Sequence, residues 1–288
     1  MLQGDSNSNY FHKCANGRNR KMQVSMLEVD GLEITNPVTL RDHITDYYKQ
    51  LFGKAEVANM HLDPNLWPAH QQVSVEDNNM LTRPFTIEEV DLTIKQMKNN
   101  TAPGPDGFSV EFFKAFWPSI REDIKEMLDN LYDGHLELWR LNYGVITLIP
   151  KVKPAMIVKQ FRPVCLLNVI YKIITKTLTI RLTSVIEEII SPYQTAFIPG
   201  RNILEGVVIL QEVLHELRMF KQAGVILKLD FEKAYDKVDW NFLEEVLKRK
   251  GFSETWIHWI NQAVRGGRVC IDMNGMRGEF FRSFKGLR

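Results

Sequence analysis

The chain has little cysteine: three residues in 288, Cys14, Cys165 and Cys270. They are odd in number and far apart, which argues against a disulfide framework or a cysteine-built zinc site and fits a reducing, intracellular compartment. Long apolar runs are also missing. Nothing approaches the roughly 20 consecutive apolar residues of a membrane span, and Met1–Ser6 lacks the charged-then-apolar pattern of a secretion signal, so no membrane partner is expected. Net charge is close to nil, +1 from 36 basic and 35 acidic residues, which argues against a uniformly basic nucleic-acid coat. Neither an internal repeat nor a low-complexity tract is present. What remains, 44% hydrophobic and 25% charged residues, is the composition of a soluble globular chain with room for one large domain or two ordinary ones.

The charge is unevenly spread. Between Arg140 and Arg201 stand nine Lys or Arg (Arg140, Lys151, Lys153, Lys159, Arg162, Lys172, Lys176, Arg181, Arg201) and two acids, Glu187 and Glu188. A basic middle in a neutral chain suits either a phosphate-binding surface or a solvated helix face.

Residues 1–35 are polar and irregular, with a basic run at Arg18–Lys21, and read as a linker. Asn36-Pro37 starts a helix that should stop at Gly53, and residues 54–80 read as loosely structured. Thr86-Ile87-Glu88-Glu89 is a capping box, predicting a helix to about Lys98. The loop Thr101–Phe108, rich in Pro and Gly, can be neither helix nor strand. Helices are expected at 109–116, 119–133, 168–190, 203–221 and 240–250, with one more capped by Ser253. Its tryptophans, Trp256 and Trp259, read as core. Strands are expected at 143–150 and 225–230, and at 268–274 and 278–284 on either side of the turn Asn274-Gly275.

The apolar run Val225–Leu229 delivers a carboxylate, Asp230, to its end, with an aromatic residue, Tyr235, five positions on. A carboxylate in that place either caps the next turn or holds a divalent cation. Tyr235 suits a strand–helix junction in a core as well as a ligand contact. Lys151 and Arg162 flank a loop at 153–159 and could be plain surface cations or a pair gripping phosphate, Arg in bidentate fashion and Lys as a point charge. Gly200-Arg201 is compatible with a plain turn or a backbone contact to phosphate.

The order of several short segments carries more than any one of them. Gly4–His12, Ala102–Phe108, Ile149-Pro150-Lys151, Phe161-Arg162-Pro163, Ser191–Arg201 and Lys228–Trp240 follow one another through most of the chain. In this order they resemble the reverse transcriptase of non-LTR retrotransposons, specifically the long interspersed elements of plants. The resemblance implies an α+β chain with an incomplete right-hand polymerase fold: residues 1–80 as an N-terminal linker and helical region, and 81–288 as the fingers and first half of an antiparallel palm sheet. It implies an RNA-directed DNA polymerase, with RNA template, DNA primer and deoxynucleoside triphosphates as partners and Mg2+ or Mn2+ as cofactor. By the same resemblance Asp230 is the catalytic carboxylate and, with the carbonyl of Phe231, a metal ligand. Lys151, Arg162, Phe231 and Tyr235 bind the nucleotide, Tyr235 as the ring beneath its sugar, and Gly200 and Arg201 lie near the template. Asp236 and Asp239 are read as a local cap and a surface charge.

In the family, Lys285–Arg288 leads into a Gln-Gly-Asp-Pro segment and then a hairpin with two adjacent aspartates; neither occurs in these residues, and no Asp-Asp pair stands anywhere in the chain. The expectation is therefore a truncated element that is catalytically incomplete, the alternative being a remnant that only binds nucleic acid. Asp230 should end a strand paired with one of the strands at 268–284, and Lys151 and Arg162 should share a sheet or hairpin facing its cleft.

Overall fold

In the computed structural model, residues 17, 23–54, 62–63, 66–68 and 71–287 are described. Gly4–His12, Cys14 and the basic run Arg18–Lys21 lie outside them.

Side-chain caps set most of the helices. The Asn36 carboxamide oxygen accepts from the N–H groups of Val38 and Thr39, and Pro37 opens helix α1, Pro37–Leu51. Ser74 and Asp77 form a capping box that starts α2, Val75–Leu81. This corrects the expectation of loose structure for the last part of 54–80, where Ser74 and Asp77 carry a Ser-x-x-Asp capping signal. Thr86 and Glu89 form the expected box for α3, Ile87–Gln96. Helices α4, Val110–Ala115, α5, Trp117–Tyr132, α6, Val169–Ile189, α7, Ile203–Met219, α8, Trp240–Arg249, and α9, Glu254–Val264, follow within a few residues of expectation.

The N-terminal stretch read as linker contains a short hairpin, β1 Leu27–Val29 and β2 Leu32–Ile34. Asp30 and Gly31, both at positive φ, make its turn. The main sheet has β3, Tyr143–Pro150, at its centre. β4, Phe161–Leu167, pairs antiparallel on one side, and β5, Arg268–Met273, pairs parallel on the other. The outer edge of β5 is taken by two short pieces, β6 Met276–Arg277 and β7 Phe281–Arg282, where one continuous strand was expected. Asn274 and Gly275 turn the β5–β6 hairpin with φ of 55° and 84°.

Two apolar cores hold these layers. On one face of the sheet, Ile146, Leu148, Phe161, Val269, Ile271 and Met273 pack against Leu40, Ile44 and Tyr48 of α1. This core draws on residues from both before and after residue 80. The second core joins α2 to α6 with α9, around Trp256 and Trp259, both fully buried as expected. Arg181 ties it together. Its guanidinium donates to Glu89 at 2.7 and 3.2 Å and to the carbonyls of Leu81, Arg83 and Pro84, while stacking 4.0 Å from the Phe85 ring centroid. The last carbonyls of α6, which lack partners within the helix, accept from two cations: Ile189 from Lys250, and Glu187 and Ile190 from Arg201.

The strand expected at 225–230 is absent. These residues are irregular and exposed, and helix α7 before them buries none of its residues. A strand needs a neighbour for its N–H and C=O groups. No strand of the sheet lies beside it: β5 has β3 on one edge and β6 with β7 on the other. The expected pairing of Asp230's strand with residues 268–284 is therefore not formed.

Candidate nucleotide and nucleic-acid site

The β3–β4 hairpin builds the phosphate-facing end. Ile149 pairs with Arg162, and the Lys151 N–H donates to the Gln160 carbonyl at 2.8 Å. Side chains two residues apart on a strand, and those directly opposite across an antiparallel pair, share a face. Ile149 and Arg162 therefore share the face opposite to the one that packs on α1, and Lys151 extends the same hairpin just past the end of β3. Lys151 also donates from Nζ to the Lys159 carbonyl at 3.3 Å. Of the nine cations in the basic middle, Arg181 is buried against Glu89 and Arg201 is turned onto four carbonyls, those of Ser191 and Gln194 included. The hairpin cations Lys151, Lys153, Lys159 and Arg162 are left at the surface.

Facing Lys151 is a cluster that the sequence did not single out. Lys233 donates to the Tyr47 hydroxyl at 2.6 Å and lies 4.4 Å from its ring centroid. Burial pushes the Lys233 ammonium below its ordinary value against the pull of Asp236 and Glu232. Burial pushes the Asp236 carboxyl up, against the opposing pull of Lys233 and Lys151. Asp236 thus sits within Coulombic reach of the hairpin, a residue expected only to cap a turn. No local pattern marks this, because α1, the hairpin and residues 233–236 are distant in sequence.

Tyr235 is exposed, makes an edge-to-face contact with Phe197 at 6.4 Å between centroids, and is held through its carbonyl by the Leu287 N–H at 2.8 Å. Phe197, Gly200 and Arg201 line an open cavity of about 580 Å³ beside it. The structure thus brings Tyr235 near Gly200 and Arg201, and its neighbour Asp236 near Lys151. Gly200, at φ +81°, adopts a conformation that favours glycine. The Ala102–Phe108 loop lies elsewhere: a Cβ on Gly104 would fall 2.4 Å from the Asn168 nitrogen, so this loop packs onto the start of α6.

Asp230 and Phe231 stand on the exposed irregular segment. A two-metal site needs several anionic oxygens. No group of three His, Cys, Asp or Glu side chains placed to hold a metal occurs among the described residues. The described residues do not fit a two-metal site. Among the same residues no helix is long and apolar enough to cross a membrane.

Comparison with known proteins places the sequence among reverse transcriptase relatives. Residues 149–288 match the family model for "Reverse transcriptase (RNA-dependent DNA polymerase)". Over 272 residues, 94% of the chain, it is 30% identical to the transposon TX1 uncharacterized 149 kDa protein of Xenopus laevis, covering 21% of that protein. It is 27% identical over 211 residues to the retrovirus-related Pol polyprotein from the type-1 retrotransposable element R2 of Nasonia vitripennis, 72% of this chain and 20% of the relative. For the R1 element of Bradysia coprophila the figures are 28% over 159 residues, 54% and 15%. The chain spans about a fifth of the length of the first relatives it matches.

Proposed function

We propose, for a chain whose residues 149–288 are part of a reverse transcriptase domain of the non-LTR retrotransposon kind, that it supplies the triphosphate grip of an RNA-directed DNA polymerase. The observation that carries this reading is the hairpin, which carries both Lys151 and Arg162 and sets Lys151 within Coulombic reach of Asp236. A triphosphate brings several negative charges, and two cations of different geometry offset them better than one: the Arg fork engages two oxygens and the Lys follows a third. Tyr235 stands beneath the sugar, where a ring leaves no room for a 2′-hydroxyl. Gly200 and Arg201 lie on the template side, with Arg201 shaping the turn through its carbonyl contacts. RNA template, DNA primer and deoxynucleoside triphosphates are the partners of this reading, and a plant element is its finer form.

Mg2+ or Mn2+ is the cofactor that the polymerase reading implies, with Asp230 and Phe231 as the family's ligands. One exposed carboxylate and one carbonyl are a poor cage for two divalent cations, so no step is routed through metal in these residues. That observation favours a second reading for the 288-residue chain by itself, in which it binds nucleotide and nucleic acid without extending a primer.

Isothermal titration with a deoxynucleoside triphosphate tests the grip. Lys151→Gln with Arg162→Gln should weaken binding at least tenfold and leave binding of the unphosphorylated nucleoside unchanged. Equal affinity for triphosphate in the double variant would overturn the assignment. In labelled-nucleotide incorporation the chain should be inactive with either metal. Incorporation that is lost in Asp230→Ala would show that these residues complete a metal site.

A further inference from the structure

A second basic site lies at the other end of β3. The strand begins at Tyr143, which pairs with Arg268, and ends at Pro150, beside Lys151. Its seven steps at about 3.3 Å each put the two ends roughly 23 Å apart. At the Tyr143 end a cavity of about 480 Å³ opens between Trp139, the end of α9 and the β5–β7 pair.

Three arginines reach this cavity, and they are not equivalent. Arg265 is neutralised by Glu244 at 3.0 Å. Arg268 and Arg282 are exposed, and no ion pair among the described residues uses either of them. They are also direct cross-strand partners in the antiparallel β5–β7 pair. Like charges directly opposite each other destabilise a strand pair, so this pairing costs the fold unless an anion sits between them. Trp139 lines the cavity, with the Arg140 guanidinium 5.5 Å from its ring centroid. Gly266, at φ +78°, makes room against it: a Cβ there would fall 2.9 Å from the Trp139 Cβ. Gln262 adds an amide donor and acceptor on the same rim, while the Asn261 amide is engaged by Glu244 and Arg265.

We propose that this cavity binds one nucleotide unit of a single-stranded nucleic acid, with its phosphate between Arg268 and Arg282 and its base stacked on Trp139. An aromatic face beside a basic strip is how single strands are held without sequence preference. The volume falls in the range that encloses a small organic group. The proposal rests on the reading of the chain as a nucleic-acid handler, but on residues apart from the triphosphate grip.

Anisotropy of a labelled 12-nucleotide oligouridylate, titrated with the 288-residue chain at 50 and 200 mM salt, tests it. Arg268→Gln with Arg282→Gln should weaken binding about tenfold and flatten the dependence of log affinity on log salt by about 1.4, since each single-strand phosphate contact contributes about 0.7. The corresponding double Lys variant should retain most of the affinity. Trp139→Ala should weaken binding about tenfold, and this loss should vanish with an abasic oligomer of the same length. Circular dichroism should match wild type in each variant, and the Arg-to-Gln variant should melt no lower than wild type, because it removes the opposed like charges. Wild-type affinity and salt slope in the Arg-to-Gln variant would overturn this site alone, whereas no binding by wild type at 50 mM salt would overturn the nucleic-acid reading as well. Competition by uridine monophosphate at the concentration that suffices for the oligomer would overturn the single-strand assignment in favour of a free-nucleotide site.

Discussion

Helices α6 and α7 are both long and apolar, yet they meet opposite fates. Helix α6 buries Val169, Ile173, Ile174, Leu178, Val185 and Ile189 in the core it shares with α2 to α5 and α9. Helix α7 buries none of its residues, and the segment after it leaves Val225 at 96% and Leu227 at 78% exposure. Apolar content alone therefore does not place a segment in a core. A partner face must be presented to it, and burial then returns roughly 25 cal/mol per Å². For α6 that face is supplied within the core it shares with α2 to α5 and α9. For α7 and residues 225–231 no described residue offers such a face.

The contrast can be broken at the clamp of the packed half. Arg181 carries a buried charge paired with Glu89, and removing one member of such a pair strands the other. Arg181→Ala should cost about 3–5 kcal/mol in urea unfolding; a cost under about 1 kcal/mol would show that the packed half does not depend on it. The same pair sets a pH dependence. Burial alone would raise the Glu89 carboxyl, but hydrogen bonds from Arg181 and Arg83 more than offset this and hold it below the ordinary carboxylate value. A depressed folded value means that the stabilisation is complete above the unfolded value of about 4.3 and is lost as pH falls through the folded one. Melting followed from pH 6 to 3 should therefore show a steeper acid loss in wild type than in Glu89→Gln.

A smaller effect is expected where the sheet is closest. A Cβ on Gly144 would lie 2.3 Å from the Cys165 sulfur and 3.1 Å from Leu167. Gly144→Ala should cost about 1–3 kcal/mol by overpacking, read from the same unfolding curves. The smallest effect belongs to the other side of the comparison. Leu210→Ala on α7 should change stability by under about 0.5 kcal/mol and lower the binding of a hydrophobic dye. A loss above about 2 kcal/mol would mean that α7 is packed in solution and that the contrast with α6 is false.

Much of this was legible in advance where the signal was local. Asn36-Pro37, the Thr86–Glu89 box and Ser253 announced their helices because a cap is a contact within four residues. Asn274-Gly275 announced its hairpin because both residues accept positive φ. The ordered segments between Ala102 and Trp240 pointed to the polymerase family, and the loop at 153–159 pointed to one hairpin carrying both Lys151 and Arg162. What failed was non-local. Residues 225–230 have every property of a strand, but a ladder needs a second chain segment, which no local pattern can guarantee. The placement of Asp236 and Lys233 beside Lys151 and Tyr47, the occupation of Arg201 by the end of α6, and the opposition of Arg268 to Arg282 all join residues far apart in sequence. The chain by itself determined where its helices begin and which residues could carry phosphate chemistry, since those depend on neighbours along the backbone. Only the tertiary structure decided which cations are left free for a ligand, because burial, ion pairing and strand register are set by segments meeting in space.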